Sequence, residues 1–207
     1  MVDDYSDLLP AWQMHQEEEN ESRLSRRQFL KGLGALGAGA LLGGLSLPSH
    51  AQEAFWSQPR VLDLYRPRTN ERVRAVYWQN GALEPNGYRQ FCNLLRDVQA
   101  GLVVQMDPRL LDLLCAMQAW VSHYGYKSPI HITSGYRSPK TNSGLEGAAR
   151  NSMHMYGKAA DIRFPGLPPS YLGKLAQRYA GGGVGFYVSS NFVHVDTGRV
   201  RTWGRQG

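Results

Sequence analysis

Cysteine is scarce in this chain: Cys92 and Cys115 are the only two among 207 residues. That excludes a disulfide-dense scaffold, and neither thiol has the close Cys or His partner that a cysteine zinc cluster needs. Each lies in an apolar helical pattern, which predicts a small buried hydrophobe and leaves open a disulfide between them. Long apolar runs are missing as well. Gly32 to Leu47 spans sixteen residues and is diluted by glycine, short of the ~20 that a membrane span requires. No block of Lys or Arg marks a nucleic-acid arm, no recognised nucleic-acid motif is present, and no segment repeats, so a nucleic-acid partner and a repeat architecture are not expected.

What is present divides the chain in two. Residues 1–51 hold seven acidic and four basic side chains, leaving 19 Lys+Arg against 10 Asp+Glu in the remainder. A body this basic suits a polyanionic partner, and an anionic wall polymer is one such partner. Arg26-Arg27-Gln28-Phe29-Leu30-Lys31, the weakly apolar stretch and Pro48-Ser49-His50-Ala51 have the form of a twin-arginine export signal. The expectation is cleavage after Ala51, export through the twin-arginine translocase and a periplasmic destination; an uncleaved membrane anchor is the alternative. The domain plan is residues 1–51 as signal and extension, 52–58 as linker and 59–207 as one domain, with a monomer as the default.

Within that domain, Val61–Tyr65 and Val73–Trp78 read as two strands about a Pro-Arg-Thr-Asn turn. Tyr88, Phe91, Cys92, Leu94, Leu95 and Val98 form one helical stripe, predicting a helix over 85–98. Asp107-Pro108 starts a second helix, which Gly125 closes. Ile130–Thr133 and Ala159–Phe164 are strand candidates, Lys140–Ser152 reads as a loop and Pro168/Pro169 to Ala180 as a third helix. Val184–Val188 and Asn191–Val195 form a closing hairpin. The order predicts an α+β domain with a small antiparallel sheet and flanking helices.

The chemistry concentrates in the last third. His154 and Asp161 stand seven apart across Gly157, and His194 and Asp196 share one face of a strand. A catalytic zinc takes three N/O ligands and keeps one position open. His154, Asp161 and His194 supply that set if the last hairpin packs beside the strand bearing Asp161; the plainer reading is separate satisfied polar groups. His123, at a helix end, and His131, between two isoleucines, carry no such pattern, and His50 belongs to the signal.

Ser134-Gly135-Tyr136-Arg137-Ser138, Ser152-x-His154, Gly157-x-Ala159-x-Asp161, Gly182-Gly183-Val184-Gly185, Asn191 to Gly198 and Arg201-x-Trp203 resemble, in order, the zinc D-alanyl-D-alanine peptidase and lysostaphin-type group. That group also includes the Hedgehog signalling domain, and the likeness, over about residues 58–204, is greatest to its murein endopeptidase K branch. The resemblance implies one zinc held by His154, Asp161 and His194, Arg137 and Tyr136 facing substrate, and Ser152 supporting the site. It implies a wall hydrolase acting on diaminopimelate–diaminopimelate (3-3) cross-links. A D,D-carboxypeptidase, an L-alanyl-D-glutamate peptidase and a non-catalytic wall-binding module are the alternatives. Many relatives carry a catalytic Glu or Asp where this chain has Asn191, which cannot act as a base. Asp196 is then the candidate base, or alternatively the group that orients His194.

Overall fold

The computed structural model describes residues 57–205. The signal segment, the cleavage site after Ala51 and most of the expected linker lie outside the described residues.

Strand β1 (Arg60–Arg66) turns through Asn70, whose φ of 56° suits an asparagine, into β2 (Glu71–Gln79) and the short β3 (Ala82–Leu83). Helix α1 (Pro85–Leu94) follows, capped by the Glu84 carboxylate accepting from Gly87 N at 2.6 Å. Helix α2 (Pro108–His123) is capped as its sequence predicts, with the Asp107 side chain accepting from Arg109 N at 2.9 Å. Then come β4 (Ile130–Ser134), the short α3 (Pro139–Ser143), a single 3₁₀ turn at Met153–Tyr156 and β5 (Ala159–Arg163). Helix α4 (Pro169–Tyr179), β6 (Gly183–Tyr187), β7 (Phe192–Asp196) and β8 (Arg201–Arg205) complete the chain.

All strands join one eight-stranded sheet, in the order β3-β2-β1-β4-β5-β7-β6-β8. The α+β class holds, but the sheet is neither small nor wholly antiparallel, because β1 pairs with β4 and β6 with β8 in parallel. The pairing of β1 with β4 merges the expected hairpin with the later strands, and β8 adds an edge.

Alternation along the strands sends Leu62, Leu64, Ile130, Ile132, Ile162, Val193 and Val195 to one face, all fully buried. Helices α1 and α2 cover this face over β1 and β2, and α4 covers it over β6 and β7. Each such side chain removed from water contributes roughly 1.5–3 kcal/mol. Cys92 and Cys115 are free and buried in this core. Burial pushes the Cys115 thiol up to about 12, as befits an inert thiol.

Three boundaries differ from expectation. Helix α1 stops at Leu94 rather than near Val98, because the Asp97 carboxylate accepts from Gln99 N and Ala100 N and bends the chain. The Lys140–Ser152 loop contains α3, started by the Ser138 hydroxyl accepting from Thr141 N. Strand β8 was unforeseen.

Candidate metal centre on the open sheet face

The second face of the sheet carries the chemistry, and strand register assembles it. Ser134 pairs with Asp161, Asp161 with His194, His194 with Gly185, and Gly185 with Trp203. One row of side chains thus crosses five strands. The closing hairpin lies directly beside β5, which meets the condition set by the sequence for bringing His194 to Asp161. His154 enters from outside the sheet, on the 3₁₀ turn that precedes β5. Gly157 ends that turn at φ 65°, and a Cβ there would stand 2.8 Å from Gln105 O, so both conformation and space require glycine.

Three atoms converge. His154 Nε2 lies 3.2 Å from Asp161 Oδ1 and 3.1 Å from His194 Nδ1, and His194 Nδ1 lies 2.9 Å from Asp161 Oδ1. Each partner is buried: His154 is 1% exposed, Asp161 4% and His194 7%.

The outer bonds fix the tautomer that each neutral imidazole takes. His154 Nδ1 is 2.6 Å from Gly135 O, which can only accept, so Nδ1 carries the hydrogen. His194 Nε2 is 3.0 Å from Asp196 Oδ2, again an acceptor, so Nε2 carries its hydrogen. With both imidazoles neutral, Nε2 of His154, Nδ1 of His194 and Oδ1 of Asp161 present lone pairs to one another with no proton between them. Three buried acceptors facing inward repel unless a cation lies among them. Edges near 3 Å also match a tetrahedral site, where ligand bonds of ~2.0–2.1 Å place donor atoms roughly 3.3 Å apart. The donor set therefore fits a zinc-type ion.

The charges agree. Burial would raise the Asp161 pKa, but His154 and His194 outweigh it and hold the carboxyl far below its usual range. Burial pushes the His154 pKa down, against the pull of Asp161. It acts the same way on His194, but there bonds to Asp161 and Asp196 prevail and raise the pKa. His194 is thus the imidazole for which protons compete most strongly with a metal.

The surrounding shell is fully engaged. Asp196 is completely buried; its Oδ1 accepts from Gly183 N at 2.8 Å and Gly198 N at 2.9 Å, and Arg201 grips both oxygens at 3.1 and 2.7 Å. Arg137 donates from Nε to Ser134 Oγ at 2.8 Å and from Nη2 to Asp161 Oδ2, leaving Nη1 free of both. The Trp203 ring lies 5.1 Å from the His194 ring and against Gly185, where a Cβ would come within 2.6 Å of it.

Other expected site residues fall elsewhere. Tyr136, expected to face substrate, is buried and belongs to the core cluster that includes Leu95. Ser152 precedes the 3₁₀ turn and is buried there, without a side-chain capping bond. Asn191 sits in the β6–β7 turn at φ 53°, a conformation asparagine tolerates. His131 packs edge-on against Tyr65 at 4.9 Å. The sequence reading missed the Gly135 carbonyl and the Arg201 clamp on Asp196. The repeated Arg201-x-Trp203 likeness marked the place of the clamp but not its role.

Comparison with known proteins follows the same lines. Residues 54–203 match the family model described as Peptidoglycan L,D-endopeptidase MepK, and residues 23–43 match the twin-arginine translocation pathway signal sequence. The chain is 35% identical over 184 residues to the peptidoglycan L,D-endopeptidase MepK of Escherichia coli K12, covering 86% of this chain and 97% of that protein. It is similar to the same extent to the Shigella flexneri protein of that name. It is 34% identical to the probable peptidoglycan L,D-endopeptidase MepK of Haemophilus influenzae, covering 81% and 92%.

Proposed function

Because the chain belongs to the peptidoglycan L,D-endopeptidase MepK family of metallopeptidases, we propose that it is a periplasmic zinc enzyme that hydrolyses peptide cross-links of peptidoglycan, most specifically L,D-bonds in 3-3 links. Its twin-arginine signal directs it to the periplasm, where that polymer lies. The observation that carries the zinc reading is the inward-facing trio of buried acceptors. His154 Nε2, His194 Nδ1 and Asp161 would hold the ion, three protein ligands being the number that a catalytic zinc site uses.

Bound there, zinc supplies Lewis acidity and a water nucleophile near neutral pH. The chain's own residues set the stage. Gly135 O and Asp196 each take the outer N–H of an imidazole, which fixes the tautomer and the ring plane. We assign Asp196 this orienting role rather than that of general base, since His194, Arg201 and two backbone amides already occupy its oxygens. Arg137 is held rigid by Ser134 and Asp161, and its remaining donors suit a substrate carboxylate or a developing oxyanion. Trp203 walls the site beside His194. The basic body favours the anionic wall peptide, with its free carboxylates.

The test is digestion of purified murein sacculi with and without a chelator, with products separated and weighed. Chelator-sensitive loss of 3-3 linked dimers supports the reading. Loss of 4-3 links or of terminal D-alanine instead would reassign the bond. Unchanged muropeptides with zinc bound would leave a wall-binding module as the better account.

A further inference from the structure

Two residues along from the metal row, a second row crosses the same open face. Tyr65 pairs with His131 and His131 with Arg163. The pairing of Ile162 with Val193 brings Arg163 alongside Phe192, and Phe192 pairs with Tyr187. Arg163 shares the face of Asp161, and Phe192 that of His194, because side chains at i and i+2 point the same way. Neighbouring contacts agree: the Tyr65 and His131 rings meet edge-on at 4.9 Å, and Tyr187 and Phe192 stack at 4.4 Å. Tyr187 accepts from Trp203 Nε1 at 3.0 Å, which ties this row back to the metal row. All of these side chains are partly exposed, so the row is an accessible stripe of rings with one cation at its middle.

Arg163 differs from the arginines of the domain that hold an ion pair. Arg60, Arg72, Arg96, Arg109, Arg137 and Arg201 each have a carboxylate within ion-pair distance. Among the described residues none is placed on Arg163. Its Nη2 donates to the Ser190 carbonyl at 2.9 Å, and its buried Nε has no acceptor. A half-buried guanidinium whose protein partner is a neutral carbonyl keeps most of its capacity for an anion. Its Cα lies about 7 Å along β5 from that of Asp161, about the length of two peptide residues.

We propose that Arg163, flanked by Phe192 and His131, is a specificity subsite that takes the free side-chain carboxylate of the diamino-acid residue next to the scissile bond. The rings contact the methylene arm and the guanidinium pairs with its terminal carboxylate. This rests on the peptidase reading above and names which substrate feature the open face recognises.

The test compares hydrolysis of 3-3 cross-linked dimers whose side-chain carboxyl is free with dimers in which it is amidated. Wild type cleaves the free form about tenfold or more faster, the scale of one charge-assisted contact. Arg163→Gln binds the same amount of zinc and cleaves both forms at the rate wild type shows on the amidated one. Arg163→Lys, a point charge without the planar fork, keeps part of the preference. An Arg163→Gln enzyme that keeps the wild-type preference, or that slows equally on both substrates, overturns the subsite. If zinc-loaded wild type cleaves neither dimer, the peptidase reading fails first. Calorimetric titration with the uncleaved stem peptide, free and amidated, then still decides the subsite: binding indifferent to Arg163→Gln or to amidation contradicts it.

Discussion

The two faces of β7 differ less in burial than in what burial demands. Val193 and Val195 are fully buried on the core face, and on the other face His194 and Asp196 are 7% and 0% exposed. The valines need only shape and neighbours from α4. The polar pair needs hydrogen-bond partners, and the chain supplies these from β5, β6 and β8. At the centre of that face the three facing acceptors meet one another rather than a donor. The comparison teaches that a functional site in this sheet is found where polar bookkeeping fails to close, not where exposure is greatest.

Cutting into the polar face should abolish function without unfolding the protein. His154→Ala is expected to remove stoichiometric zinc and to lower muropeptide hydrolysis by about 10³-fold, the equivalent of several kcal/mol of charge stabilisation. Circular dichroism should remain that of the wild type. The core face should do the reverse. Leu64→Ala, fully buried on β1, is expected to cost about 2–5 kcal/mol in urea denaturation. Zinc content and turnover of its folded fraction should be unchanged, and a large fall in zinc affinity would show the faces to be coupled.

A finer cut separates ligand from orienter. Asp196→Asn keeps the shape but weakens the acceptor on His194 Nε2, so zinc affinity should drop roughly 10–100-fold in competition with a chromogenic chelator. Saturating zinc should then restore much of the activity. An Asp196→Asn enzyme that binds zinc normally yet cannot turn over would instead return Asp196 to the role of base. The smallest effect concerns acid. Burial raises the Asp97 pKa, but hydrogen bonds from Thr141, Ser138 and Ala100 prevail and bring it to about 2. Asp161 and Asp196 are depressed as well. A carboxyl with a depressed folded pKa stabilises above its unfolded value, near 3.9, and loses that contribution as pH falls through the folded value. Metal-free protein should therefore lose thermal stability progressively as pH falls from about 4 toward 2.

How much of this was legible in the sequence follows from how local each signal is. The cap at Asp107, the turn at Gly125 and the stripe of α2 depend on neighbours along the chain, and they were readable. So were His154, Asp161 and His194, because a glycine turn and a two-residue strand spacing announce them. The extent of the sheet was not, since β8 alternates Arg201, Trp203 and Arg205 with Thr202 and Gly204, a pattern without an apolar face. Trp203 gains its place only by lying over Gly185, eighteen residues earlier. The burial of Tyr136 was not legible either, since its backbone bond to Leu95 O joins residues far apart in the chain. The clamp of Arg201 on Asp196 is likewise a contact through space that no spacing declares.

Zinc stoichiometry tests the central claim most directly. Native mass spectrometry of the purified protein, alongside His154→Ala and Leu64→Ala, should find one zinc per wild-type chain, one per Leu64→Ala chain and none on His154→Ala. A wild-type chain that takes up no divalent metal, or a His154→Ala chain that keeps it, would contradict the account.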